Sequence, residues 1–145
     1  MKKLVVDSSV MLKWVNQDNE LYVENANQIL SDVKDGKVIL LAPELAKYEL
    51  GNAILKKGID VNQAYQNLET ISSLPVEFIT ETINLAYLTY QMAYEVRLTG
   101  DKKFTYYDAS FVALAKQEEA VLVTDNPKHQ SKINGVKVVP LEEYK

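Results

Sequence analysis

Asp7, Glu49, Asp108 and Asp125 are set apart by the company they keep. Asp7 follows the apolar run Leu4-Val5-Val6 and precedes two hydroxyls, Ser8 and Ser9. Glu49 has Leu45, Ala46, Asn52 and Ala53 three and four residues away, with no Lys or Arg to pair with along a helix face. At the same offsets Asp108 meets Phe104, Thr105, Phe111 and Val112. Asp125 ends a second apolar run, Ala120 to Thr124, and has Asn126 beside it. A carboxylate among apolar side chains raises its pKa and goes neutral, and several brought together repel one another. Such a cluster stays ionised only if a cation compensates, and no basic partner is written into the local sequence. Mg²⁺ or Mn²⁺ suits the task, since these hard ions take carboxylate and water oxygens. One or two such ions activate water and steady the charge on a phosphodiester. The chemistry predicted is metal-dependent phosphodiester hydrolysis.

Each acid also has a plainer explanation. Asp7 can be a helix N-cap after a strand. Glu49 can sit at the rim of an exposed helix face. Thr105-Tyr106-Tyr107-Asp108 fits a capping box, in which Asp108 reaches back to the cap. Lys102-Lys103 and Lys128-His129 lie in loops, where they are either phosphate contacts or ordinary surface. Tyr106, Tyr107, Phe111 and Leu114 read as core, and other members of the nine tyrosines offer amphipathic surface to a partner.

Composition narrows the classes. An apolar share of 47% and a charged share of 25% are those of an ordinary globular protein. No apolar run nears the ~20 residues that cross a bilayer, and no signal-peptide core is visible, so a cytoplasmic protein without membrane attachment is expected. The absence of cysteine excludes thiolate sites and thiol nucleophiles. A single histidine, His129, excludes two-histidine ribonuclease chemistry. The net charge of −4 argues against binding nucleic acid by overall field alone, yet fits an acid-rich site.

The elements that must position these acids alternate between strand and helix. Leu4 to Val6 reads as a buried strand, with Ser8 and Ser9 capping a helix to about Trp14. Val23, Ala26, Ile29, Leu30 and Val33 recur at helical spacing before Gly36. Val38 to Leu41 is a strand, and Pro43 at N1 opens a helix to Lys57. Asp60 caps a further helix, and Val76 to Ile79 is the third strand. A long helix opens at Thr80, with Ile83, Ala86, Tyr87, Tyr90 and Ala93/Tyr94 as its apolar stripe. Thr105 caps a helix to Glu119; Ala120 to Thr124 and Val136 to Val139 complete the strands. This order predicts one domain over residues 1–145, a three-layer α/β/α sandwich with a mostly parallel sheet of four to five strands. Sites in such sheets form beyond the strands' carboxyl ends, near a switch in strand order. Asp7 and the Thr124-Asp125-Asn126 turn both sit at that edge.

With these residues in place the chain resembles PIN-domain proteins, and among them the VapC toxins of toxin–antitoxin pairs. The resemblance spans nearly the whole length. It rests on Val5-Val6-Asp7-Ser8-Ser9-Val10, Pro43…Tyr48-Glu49-Leu50-Gly51-Asn52-Ala53-Ile54, Tyr107-Asp108-Ala109-Ser110-Phe111-Val112-Ala113-Leu114-Ala115, and Leu122-Val123-Thr124-Asp125-Asn126. It implies a Mg²⁺- or Mn²⁺-dependent endoribonuclease acting on RNA, a homodimer blocked by a cognate antitoxin. Asp7, Glu49 and Asp108 match the family's first three acids by position. Ser9 and Thr124 match its hydroxyl residues, which would hydrogen-bond the carboxylates or metal-bound water. The fourth acid departs from the pattern: the family's Asp two residues after the Thr is Asn126 here, with Asp125 one residue early. Either Asp125 turns into the site as a fourth ligand, or Asn126 contributes a neutral oxygen. One or two metal ions are both compatible with this set.

Two other functions compete with a ribonuclease toxin. One is an antitoxin-independent nuclease that processes RNA or cuts DNA. The other is a catalytically silent module whose tyrosine-rich faces bind protein. An aspartyl-phosphatase would need an acid two residues after Asp7, where this chain has Ser9.

Overall fold

Leu4-Val5-Val6 and Leu40-Leu41-Ala42 are apolar at consecutive positions, a pattern that suits strands covered on both faces. In the computed structural model, which describes residues 1–127, 133 and 135–145, they lie next to each other at the heart of one sheet. The element order is β1 Lys2–Val6, α1 Ser8–Val15, α2 Val23–Lys34, β2 Val38–Pro43, α3 Leu45–Lys56, α4 Val61–Ser73, β3 Val76–Ile79, α5 Ile83–Leu98, α6 Tyr106–Gln117, β4 Val121–Thr124 and β5 Val138–Pro140. A 3₁₀ turn, Leu141–Glu143, follows.

The five strands run in the order β3-β2-β1-β4-β5, and every pairing is parallel. Strand order therefore reverses at β1, whose neighbours are β2 on one side and β4 on the other. Val6 lies opposite Val123 in that register, which carries Asp7 and Thr124 to the same edge. Helix α6 packs on β1, β2 and β4 and against α5, while α1 packs with α2, α3 and α4. The three-layer parallel α/β reading holds. Helix α6 is the most enclosed, with Ala109 through Ala115 all buried. A helix that is apolar all round belongs inside a protein. Gly36 and Gly58, at φ of +72° and +70°, end α2 and α3 in the left-handed conformation that a Cβ disfavours.

Several local expectations are corrected. The cap of α1 is Asp7 rather than Ser8 or Ser9, since the carboxylate accepts from Val10 N. Pro43 closes β2 instead of opening α3, which begins at Leu45. Thr82, not Thr80, caps α5. Of the stripe assigned to α5, Ala93 is buried and Ala86 half-buried, but Ile83, Tyr87, Tyr90 and Tyr94 are exposed; the buried face is Leu85, Thr89, Met92, Ala93 and Val96. Tyrosine's phenol tolerates water, so a run rich in Tyr satisfies a helical period on either face. Phe111 and Leu114 are core as expected, but Tyr106 is half-buried and Tyr107 is exposed. Lys128 and His129 lie outside the described residues.

This division between faces is measurable by urea denaturation. Leu122→Ala, at a fully buried position, is expected to cost about 2–5 kcal/mol. Ile83→Ser, on the exposed face of α5, is expected to change stability by less than about 0.5 kcal/mol. Equal losses at the two positions would contradict the burial described for α5.

Candidate active site

The site begins at the end of β1, where the chain leaves the sheet and turns into α1. Asp7 sits at that junction with extended backbone, and its buried carboxylate performs two jobs. Oδ1 accepts from Val10 N at 3.3 Å, capping the helix, and also from Ser9 Oγ. Oδ2 accepts from the hydroxyl of Thr124, which β4 delivers from the neighbouring strand. The capping and site readings of Asp7 are thus compatible. Ser9 and Thr124 are themselves held from behind. Ser9 Oγ accepts from Asp125 N at 3.2 Å, and Thr124 Oγ1 accepts from Asn126 N at 3.0 Å. The two amides after β4 therefore orient the two hydroxyls that orient Asp7.

Glu49 approaches from α3. It is half-buried, and its Oε1 accepts from Ser8 Oγ at 3.1 Å. Asp108, half-buried near the start of α6, completes a capping box: Thr105 Oγ1 accepts from Asp108 N, and Asp108 Oδ2 accepts from Thr105 N, both at 3.0 Å. The box fixes Asp108 in the first turn of α6, at the mouth of the same edge. Glu49 feels the other two acids. Burial raises the Glu49 carboxyl above the usual carboxylate range; the Ser8 bond opposes this, and the nearby charges of Asp108 and Asp7 push it further up. Burial likewise raises Asp7, against the lowering effect of bonds from Ser9, Thr124 and Val10.

Asp125 stands differently. Its Oδ2 lies 2.9 Å from Nζ of Lys13, and that ammonium is also 3.0 Å from Glu20 Oε1. This basic partner comes from α1, remote in sequence, where a reading of the local sequence around Asp125 does not reach. Asn126 is exposed; its backbone, not its side chain, supports Thr124. Lys102 and Lys103 are exposed, which accords with either of their two readings.

Two contributors were missed among the sequence candidates. Ser8 bonds Glu49, and its adjacency to Asp7 was the available signal. Lys13 lies 1% exposed inside an otherwise apolar stretch, Val10-Met11-Leu12-Lys13-Trp14-Val15, and a lysine so placed was a legible oddity.

Among the described residues no three of His, Asp and Glu are drawn close enough to cage an ion on their own. The donor chemistry nevertheless fits a hard divalent cation. Every candidate ligand is a carboxylate oxygen, and Mg²⁺ keeps several waters while using one or two carboxylates. The mutual repulsion at Glu49 marks this edge as a place where positive charge would be favourable.

A family model described as "PIN domain" matches residues 4–135 of the chain. Solved structures share the fold. VapBC2 from Rickettsia felis, bound to a DNA fragment from its promoter, is 17% identical with a TM-score of 0.74, covering 95% of this chain and 98% of that one. FitAcB from Neisseria gonorrhoeae is 14% identical with a TM-score of 0.70, over 97% and 99%. VapC20 from Mycobacterium tuberculosis, a toxin that cleaves the sarcin-ricin loop, is 12% identical with a TM-score of 0.66, over 89% and 94%. No curated protein matches by sequence.

The raised carboxyls set a pH test in metal-free buffer. A carboxyl whose pKa is higher folded than unfolded binds its proton more tightly when folded, so stability is lost as pH rises through the folded pKa. Asp7→Asn removes that loss. Its Tm is expected to exceed the parent's at pH 8, with the gap closing as pH falls toward about 4, the ordinary carboxylate range. A gap independent of pH in differential scanning calorimetry would show that Asp7 does not carry a raised pKa.

Proposed function

Since the chain belongs to the PIN-domain family, we propose that it is a Mg²⁺- or Mn²⁺-dependent endoribonuclease, the toxin of a toxin–antitoxin pair acting in the cytoplasm. The observation that carries this reading is that Glu49, on α3, lies within electrostatic reach of both Asp7, after β1, and Asp108, on α6. They meet at the carboxyl edge of a parallel sheet, where strand order reverses.

In this reading Asp7, Glu49 and Asp108 would face the cation, with one or two of their carboxylates and several waters as its ligands. A bound divalent ion supplies Lewis acidity, making water nucleophilic at neutral pH and offsetting charge on the phosphodiester. The chain's own residues do the rest. Ser9 and Thr124 keep both oxygens of Asp7 aimed, so the carboxylate does not have to reorganise during the reaction. Ser8 steadies Glu49. Asp108, fixed by its capping box, closes the opposite side.

Support for an antitoxin comes from the neighbours, several of which are toxin–antitoxin complexes. It comes also from an apolar groove between α3 and α4, where Leu55, Val61, Tyr65 and Leu68 are exposed. Such a groove suits the apolar face of an amphipathic partner helix. The exposed Ile83, Tyr87, Tyr90 and Tyr94 of α5 offer a face for a homodimer.

The test is cleavage of defined RNAs by purified protein, with Mg²⁺ and with EDTA. Cleavage is expected only with the metal. Asp7→Asn and Asp108→Asn are expected to lower the rate by at least about 10²-fold while circular dichroism stays native, in line with loss of a charge-stabilising group. Variants that cut as fast as the parent with Mg²⁺ present would refute this assignment. Expression of the parent alone in a bacterial host is expected to arrest growth, and the Asp7→Asn variant to relieve the arrest.

A further inference from the structure

Beside the acids lies a cavity that the reading above does not use. It measures about 260 Å³, and Pro43, Leu45, Ile79 and Leu85 form its apolar walls. Its place follows from the sheet. Pro43 and Ile79 are register partners at the carboxyl ends of β2 and β3, where Glu44 N donates to the carbonyl of Ile79 at 3.0 Å. Leu45 precedes Glu49 by four residues on α3, so the two share a helix face one turn apart. On α6, Tyr107 and Ser110, which also line the cavity, flank Asp108. The cavity and the acids thus occupy one edge of the sheet and draw on the same two helices.

Size and lining say what fits. Pockets for drug-sized ligands run from roughly 300 to 1,000 Å³, so this one suits a smaller body. Single-stranded RNA presents such bodies, because its unstacked bases lie against aromatic rings and are read along their Watson–Crick edges. Tyr107, 56% exposed, supplies an aromatic ring to the lining. The charged groups there are two acids, Glu44 and Glu81. Glu44 is already paired, with Oε1 3.0 Å from Nζ of Lys47. Glu81 is anchored by one oxygen: Oε2 accepts from the Tyr106 hydroxyl at 2.8 Å. Burial and that carboxylate push the Tyr106 phenol up to about 12, so it keeps its proton at neutral pH. Among the described residues no donor is bonded to Glu81 Oε1. An anchored carboxylate lining an apolar slot calls for a base with two adjacent donors. Guanine has them in N1–H and the N2 amino group, which a carboxylate accepts in bidentate fashion. Adenine and cytosine set an acceptor beside their amino group, and uracil sets its one N–H between two carbonyls.

We infer that this cavity is a base-recognition subsite that takes one unpaired guanine of the RNA, its ring against Tyr107 and its Watson–Crick edge on Glu81. The inference deepens the ribonuclease reading above and rests on it. A guanine seated here places the neighbouring phosphodiester by the acids.

Titration of the isotope-labelled full chain with guanosine and with uridine, in EDTA and followed by NMR, tests base recognition without metal or cleavage. Guanosine is expected to shift the amides of Leu45, Glu81, Tyr107 and Ser110 and to bind at least about tenfold tighter than uridine. Glu81→Gln, at an exposed position where the fold tolerates change, is expected to lose that preference. Tyr107→Ala is expected to weaken guanosine binding at least about fivefold. With Mg²⁺, RNAs of uridines carrying a single guanosine are expected to be cut beside it, and Glu81→Gln to remove the preference. Equal binding of both nucleosides by the parent, or an unchanged preference in Glu81→Gln, overturns the inference. So does the absence of any response at these amides, the result expected if the cavity holds a protein partner's side chain instead. Guanosine binding here with no RNA cut under Mg²⁺ would overturn the ribonuclease reading and leave the guanine site standing.

Discussion

A carboxylate buried at the end of a strand, bonded by two hydroxyls and one amide, is the contact on which the rest of this structure turns. Asp7 joins three things: the cap of α1, the pairing of β1 with β4, and the charged edge of the sheet. Removing a carboxylate from water is expensive, and bonds to the charged form recover part of that cost. The balance leaves Asp7 with a raised pKa despite those bonds. The fold thus tolerates an unfavourable charge at one place, and local strain or charge that a fold tolerates tends to mark function.

The parallel sheet explains why the acids meet. Strand order reverses at β1, so the ends of β1 and β4 lie side by side at the carboxyl edge of the sheet. Helix α6 lies across β1, β2 and β4, bringing its first turn, with Asp108, to the same edge. Helix α3 starts right after β2 and carries Glu49 to the edge by its first turns. Each acid is fixed by a bond that also serves ordinary structure: a cap for Asp7, a capping box for Asp108, and a serine in the first turn of α1 for Glu49. Structural and functional explanations of these residues are the same contacts seen twice.

Charge is managed unevenly across the site. Asp7 and Asp108 both press like charge on Glu49, while Asp125 is paired with Lys13. The result is an edge where Glu49 is left among like charges while Asp125 is neutralised by an ammonium. The neutral side also carries structure, because Glu20 and Lys57 link the loop after α1 to the end of α3.

Much of this was legible along the chain. Consecutive apolar residues in Leu4 to Val6, Val38 to Leu41 and Ala120 to Thr124 can be satisfied only by strands covered on both faces, so the parallel α/β class follows from composition and order. The acids were visible for a related reason: an ionisable side chain in apolar company is costly anywhere, and the one-dimensional neighbourhood of Glu49 and Asp108 already displays that cost. Where the period was carried by tyrosines, as on α5, the face could not be read, since a phenol is content on either side. Only the tertiary structure decided which acids share a field and which are paired. Lys13 meets Asp125 because β4 is laid beside β1, and Coulomb interaction depends on distance through space, to which separation along the chain is no guide.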